Sequence, residues 1–185
     1  AAARELCEQM GETPQLFPAI WGLWLYYTVG GKLDEARQMG EQLLRLANQV
    51  ENPMLLVGAH FALGLNLLWL GEMTGGQEHF EEGRALYNPQ QHRAYRSLYR
   101  TEPGMACHSF PIRTLWMLGF PDQGRQRMHE TLKLARELDD PHDLAFTENL
   151  AAGFYLLCLE ADKAREMAES CIALCNKHGL PQERQ

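Results

Sequence analysis

The feature that most restricts what this chain can fold into is a spacing of forty residues. Four turn-like stretches, "VGGKLDEAR", "LGEMTGGQE", "LGFPDQGRQ" and "LLCLEADKAR", align when Gly31, Gly71, Gly119 and Leu159 are taken as equivalent. These positions lie 40, 48 and 40 residues apart, so the period is 40 with eight residues added once. A second marker keeps the register: Pro53, Pro141 and Pro181 each follow a turn position by 22 residues. Allowing for the added eight, the missing marker falls at Thr101, just before Pro103. The stretch "LYNPQQHRAYRSLYRTEPG", from Leu86 to Gly104, therefore carries the insertion. A unit of this length cannot bury its apolar face alone, and stacked neighbours supply the cover.

Apolar residues recur at helical spacing throughout, as in Leu43, Leu44, Leu46 and Ala47, and sustained alternation is absent, which predicts helices and no sheet. The expected helices cover 1–11, 15–29, 33–50, 53–70, 74–87, 104–118, 121–138, 142–158 and 161–178. Pro53, Pro121 and Pro141 suit a first helical turn, and Asn52 and Asp140 suit N-caps. Pro111 falls inside a helix and is expected to kink or split it, at about 3 kcal/mol. Five residues past each turn stands a small residue, Ala36, Gly76, Gly124 or Ala164, where tetratricopeptide repeats place one so that two helices can approach closely. Leu63 and Gly64 match the consensus "LG" pair, Tyr27 and Tyr155 its aromatic site, and Phe80 its second-helix aromatic. The consensus unit is about 34 residues, so helices here are about one turn longer. The expected fold is an all-α right-handed superhelix of about four tetratricopeptide-like helix-turn-helix units in one domain, 1–185. Its parts are the last helix of a preceding repeat (1–11), repeats at 15–52, 53–87, 104–140 and 141–181, and an insertion at 88–103.

With 185 residues and 45% hydrophobic positions, the chain can bury a sizeable core. A net charge of -7 argues against nucleic acid or an anionic membrane as partner, since both select clustered positive charge. The longest apolar stretch, "HFALGLNLLWLG", is too short to span a bilayer. "AAARELCEQMGE" has no signal-peptide pattern, and its start without Met, directly in helix formers, reads as the interior of a longer protein. Five cysteines, Cys7, Cys107, Cys158, Cys171 and Cys175, sit in apolar helical patterns, as expected of small core residues in a reducing cytoplasm. Cys171, Cys175 and His178 share a helix face, but a fourth ligand and a zinc-type C-x2-C spacing are missing, so no metal and no cofactor are expected.

Motifs for catalysis are equally missing. "GGKL" at Gly30 to Leu33 lacks the upstream Gly and the Ser or Thr of a phosphate loop. Cys107, His108 and Ser109 are sequence neighbours, which on a helix point in different directions. His60, His79, His92, His108, His129, His142 and His178 show no H-x3-H pair and read as core or solvated side chains. The expectation is a non-catalytic chain with no catalytic residues.

Stacked helix pairs form a groove lined by the first helix of each unit. The 40-residue register brings Trp21, Leu25, Phe61, Leu65, Arg113, Trp116, Asn149 and Gly153 to that surface as candidate partner-binding positions, the competing reading being that Trp21, Phe61 and Trp116 pack between units. The insertion adds a basic and aromatic run, His92, Arg93, Tyr95, Arg96, Tyr99 and Arg100, read either as a second contact surface or as a helical extension with solvated arginines.

The segment "YNPQQHRAYRSLYRTEPGMACHSFPIRTLWMLGFPDQGRQR" resembles the C-terminal helical-repeat region of large bacterial multidomain ATPases fused to a class III adenylate/guanylate cyclase or a protein kinase domain. That family typically reads Y-D-P-Q-Q-H-R, then Y-G-Q-D-P-G, then a Cys-containing helix ending in L-W-L-L-G-Y-P-D-Q-A. The matching positions are Tyr87, Pro89 to Arg93, Tyr99, Pro103, Gly104, Cys107, Leu115, Trp116, Leu118, Gly119 and Pro121 to Gln123, and "WGLWLYY" and "EQLLRLA" extend the likeness. Asn88, Arg100, Pro111 and Gly124 depart from it. The resemblance implies a cytoplasmic sensor or scaffold module of a bacterial signalling ATPase, binding a protein or peptide in its groove. The parent's own ATPase domain or a small-molecule inducer is an alternative occupant. The competing functional readings are a structural autoinhibitory arm packed on that ATPase domain and an autonomous enzyme.

Overall fold

A computed structural model of the chain describes residues 16–92 and 102–180. Among the described residues all regular structure is helical. The chain forms two compact units, divided between Gly104 and Met105.

The first unit contains α1 (Phe17–Val29), α2 (Leu33–Val50), α3 (Pro53–Trp69), α4 (Met73–Leu86) and a single short turn of helix, α5 (Pro89–His92). Its aromatic core is built where α1 meets α3. Trp21 and Trp24 have ring centroids 4.7 Å apart, and Phe61 meets Trp24 edge-on at 5.8 Å. The Trp24 indole N–H donates to Asn66 Oδ1 at 2.6 Å, and the Asn66 amide donates to Thr28 Oγ1 at 3.3 Å, so the one polar atom of a buried indole is satisfied. α3 and α4 touch through their backbones. A Cβ at Gly76 would lie 3.0 Å from the Gly64 carbonyl oxygen, and one at Gly64 would lie 2.7 Å from the Phe80 ring. The first residues of the next helix belong to this unit too, since a Cβ at Gly104 would overlap the Tyr87 ring.

The second unit contains the remainder of α6 (Pro103–Met117), then α7 (Pro121–Leu138), α8 (Pro141–Leu157) and α9 (Ala161–His178). Ile112, Met128, Leu132, Ala151, Phe154, Tyr155 and Ala164 form its main core, with Trp116, Leu144, Cys158 and Met167 packed against it. A smaller cluster joins Ala145, Cys171 and Cys175. The expected split at Pro111 does not occur: α6 runs continuously through that residue, which is buried. Thr131 of α7 donates its hydroxyl to the Arg127 carbonyl of its own helix at 2.8 Å, with the His108 carbonyl of α6 3.2 Å away.

The turns carry the period in their backbone. Gly31, Gly71, Gly119 and Leu159 all adopt left-handed φ, at 70°, 83°, 89° and 60°. At each, the next amide reaches five residues back: Lys32 to Tyr27, Glu72 to Leu67, Phe120 to Leu115 and Glu160 to Tyr155, all at 2.8–2.9 Å. This is the Schellman closure, which satisfies helix-end carbonyls and needs a residue tolerant of positive φ. Two second helices end alike, at Glu51 and Asp139 with φ of 51° and 52°, and the residue after each caps the next helix. Asn52 accepts from the amides of Met54 and Leu55, and Asp140 from those of His142 and Asp143. α4 ends differently, at an extended Tyr87, after which the Asn88 carboxamide oxygen accepts from the Gln90 amide at 3.2 Å.

The expected boundaries agree with the observed helices to within about one residue at most ends, including 33–50, 121–138 and 161–178. The expected helix 1–11 lies outside the described residues. α5 falls at the start of the insertion and is not among the expected helices.

Candidate functional site

The groove positions separate into buried and exposed sets. Trp21 and Phe61, expected on the groove, are only 8% and 6% exposed, and their rings lie within the aromatic core at a centroid separation of 6.2 Å. The register locates a residue on the first helix of its unit but does not say how deeply a large ring sinks between α1 and α3, and burial of so much apolar area prevails. In the same unit Leu25 is exposed and Leu65 half-buried.

In the second unit the other four lie on α6 and α8, and Arg113 and Gly153 meet. Arg113 is exposed and Trp116 half-buried against the core, while Asn149 is exposed on α8. A Cβ at Gly153 would lie 3.8 Å from Arg113 Cδ and 4.0 Å from Nε, so the arginine stem passes over the glycine and its charged end stays in water. These two helices thus carry an exposed cation, a half-buried indole and an exposed carboxamide.

The insertion residues Arg93, Tyr95, Arg96, Tyr99 and Arg100 lie outside the described residues, and His92 is described only as the last residue of α5. Of the supposed catalytic neighbours, Cys107 and Ser109 are buried and His108 half-buried, and Ser109 Oγ lies 3.3 Å from Thr147 Oγ1. Cys171 and Cys175 are also buried, with the Cys171 thiol donating to the Ala145 carbonyl at 3.3 Å, whereas His178 is exposed. These three do not gather.

A different set does. His60 on α3 and His79 and Glu82 on α4 bring one ligating atom each within 4.8 Å of one another. Burial pushes the His60 imidazole below its ordinary pKa, against the opposing pull of Glu82 and with a smaller push from His79. The sequence showed these histidines only as scattered ones. His60 and His79 are 19 residues apart on different helices, so no local motif joins them, and the i, i+3 pair His79 and Glu82 is the only trace.

Two ion pairs recur with the repeat. Arg37 bonds Glu72 at 2.9 Å, and Arg125 bonds Glu160, each 35 residues on. Arg125 also lies 5.7 Å from the Phe154 ring centroid and 5.9 Å from that of Tyr155. Lys163 Nζ bonds the other Glu160 oxygen at 2.6 Å. The hydrogen bonds from Arg125 and Lys163 hold the Glu160 carboxyl below its usual range.

Among the described residues, no helix is long and apolar enough to cross a membrane. No family model and no curated protein matches the chain. Solved structures do. A point variant of the Podosopora anserina putative kinesin light chain nearly identical TPR-like repeats superposes with a TM-score of 0.64 at 17% identity, over 91% of this chain and 79% of that one. Another structure of the same Podosopora anserina repeats gives 0.61 at 18% identity, with the same coverage. BtubC (BKLC) from P. vanneervenii gives 0.64 at 13% identity, over 91% of this chain and 66% of that one. With the helix pairs and turns described above, these likenesses identify the fold as an all-α array of tetratricopeptide-like repeats.

Proposed function

We propose that the chain is a non-catalytic binding module, a repeat scaffold that presents the first helices of its units to a protein or peptide partner. The observation that carries this reading is the Arg113, Trp116 and Asn149 set on α6 and α8, where the Arg113 stem passes over Gly153 and the residue is left exposed. Arginine and tryptophan are the side chains that most often carry interface energy, and an exposed arginine selects a partner that brings a carboxylate. The buried Cys107 and the Ser109 hydroxyl facing Thr147 support a module without its own chemistry.

In this reading the repeats run 15–52, 53–87, 104–140 and 141–181, with 88–103 inserted. The resemblance of the Tyr87 to Gln123 segment supports a parent protein that is a bacterial cytoplasmic signalling ATPase with a cyclase or kinase domain. The partner is then either an external protein or that parent's own ATPase domain.

Binding of the 185-residue chain to the separately purified ATPase domain of its parent, wild type against Arg113→Glu, tests the proposal. Arg113 is exposed, so charge reversal leaves the fold intact. Binding weakened by about tenfold or more, as loss of a charged interface contact predicts, supports the surface and makes the module an internal arm. If the domain does not bind, affinity capture from host cytoplasm with the same pair of proteins follows. Partners retained equally by wild type and Arg113→Glu reject this surface.

A further inference from the structure

His60, His79 and Glu82 form a cluster that the binding surface does not use. His60 Nδ1 lies 3.0 Å from His79 Nδ1 and 2.9 Å from Glu82 Oε2, while His79 Nδ1 lies 3.5 Å from the same carboxylate oxygen. The imidazole rings are tilted 40° to one another with centroids 5.3 Å apart, so they meet through their nitrogens rather than stacking. The two nitrogens can share one proton between them, but two N–H groups would face each other across 3.0 Å. A cation placed among the three atoms is attracted to all of their lone pairs at once.

We propose that His60, His79 and Glu82 are a three-ligand site for a divalent transition-metal ion of the zinc class. Two imidazoles select against calcium and magnesium, which take oxygen ligands. Tetrahedral coordination with bonds of about 2.0–2.1 Å separates donor atoms by about 3.3–3.4 Å. The observed 2.9, 3.0 and 3.5 Å reach that geometry with shifts of a few tenths of an ångström. Glu82 is 59% exposed, so the fourth position opens to water or to a side chain from a partner. The ligands come from α3 and α4, and the ion ties together the two helices whose backbones already touch at Gly64 and Gly76.

The test uses the 185-residue chain after chelator treatment, titrated with Zn2+ in competition with a chromophoric chelator. Expected are one Zn2+ per chain, a rise in melting temperature with Zn2+, and affinity lowered more than about tenfold by either His79→Gln or Glu82→Gln. Both side chains are partly exposed, so the far-UV circular dichroism of the variants should match wild type. If either variant loses helicity, the Co2+ spectrum of wild type decides alone. A ligand-field spectrum from nitrogen and oxygen ligands, without a thiolate charge-transfer band, supports the site. A thiolate band places the ion on cysteines and overturns it, as do failure to bind and binding unchanged in both variants.

Discussion

Arg37 and Arg125 hold the same place in two different units, six residues past Gly31 and Gly119, and each reaches the glutamate that follows the next left-handed turn. The two pairs differ in surroundings. Arg37 and Glu72 are both about half exposed, whereas Arg125 also covers the Phe154 and Tyr155 rings. Arg37→Ala is expected to cost about 0.2–1 kcal/mol in urea unfolding. Arg125→Ala should cost more, because cation-π contact and ring cover are lost with the ion pair. The Glu160 contribution is present above the ordinary carboxylate pKa and is lost as pH falls through its lowered folded value. The Arg125→Ala penalty should therefore shrink on acidification, and a penalty equal at neutral and acidic pH would count against the pair.

Leu159 stands where the other three turns have glycine, with φ at 60° and 92% of its surface exposed. A left-handed conformation costs an L-residue roughly 1–2 kcal/mol, and glycine gives back about 0.5–1 kcal/mol through the unfolded chain. Leu159→Gly should raise stability by about 0.5–1 kcal/mol in a denaturant midpoint measurement. Gly71→Leu should lower it by about 0.5–1 kcal/mol, the same balance reversed.

Gly124 faces the opposite constraint. A Cβ there would lie 2.8 Å from the Ile112 carbonyl oxygen and 2.9 Å from Phe154 Cε2. Alanine adds about 1 kcal/mol of helix propensity, but separating α7 from α6 costs more. Gly124→Ala should reduce stability by about 1–2 kcal/mol, and a rise in melting temperature would contradict the close contact.

Glu148 is buried. Ser170 donates to one carboxylate oxygen at 2.9 Å, and the other has no hydrogen-bond partner among the described residues. Burial raises its pKa, with Ser170 and Arg136 opposing. The native state therefore binds this proton more tightly than the unfolded chain, and stability falls as pH rises from the ordinary carboxyl value through the raised one. Glu148→Gln should melt above wild type near pH 7, with the difference disappearing below about pH 4. A difference constant with pH would assign the effect to packing instead.

Much of this architecture was legible in the sequence because turn chemistry is local. Gly31, Gly71 and Gly119 announce positive φ, and Asn52 and Asp140 announce caps, so helix ends followed from a few residues each. The site was less legible because it depends on depth and on pairing between helices. Nothing local distinguishes the buried Trp21 from the half-buried Trp116, and nothing joins His60 to His79 except the packing of α3 on α4. The unsplit helix at Pro111 was hidden for the same reason, since the burial of that residue is set by packing and not by its neighbours in sequence.

The difference between Glu51 or Asp139 and Tyr87 gives the array two kinds of joint. Where a second helix stops in the left-handed conformation, the next residue is already committed to capping its successor, and the joint has a fixed length. Where it stops at the extended Tyr87, the following cap serves only a four-residue turn of helix. An engineer wishing to splice a reporter into this protein should leave Glu51 with Asn52 and Asp139 with Asp140 intact, because each pair is a closed coupling in which one residue stops a helix and the next starts another.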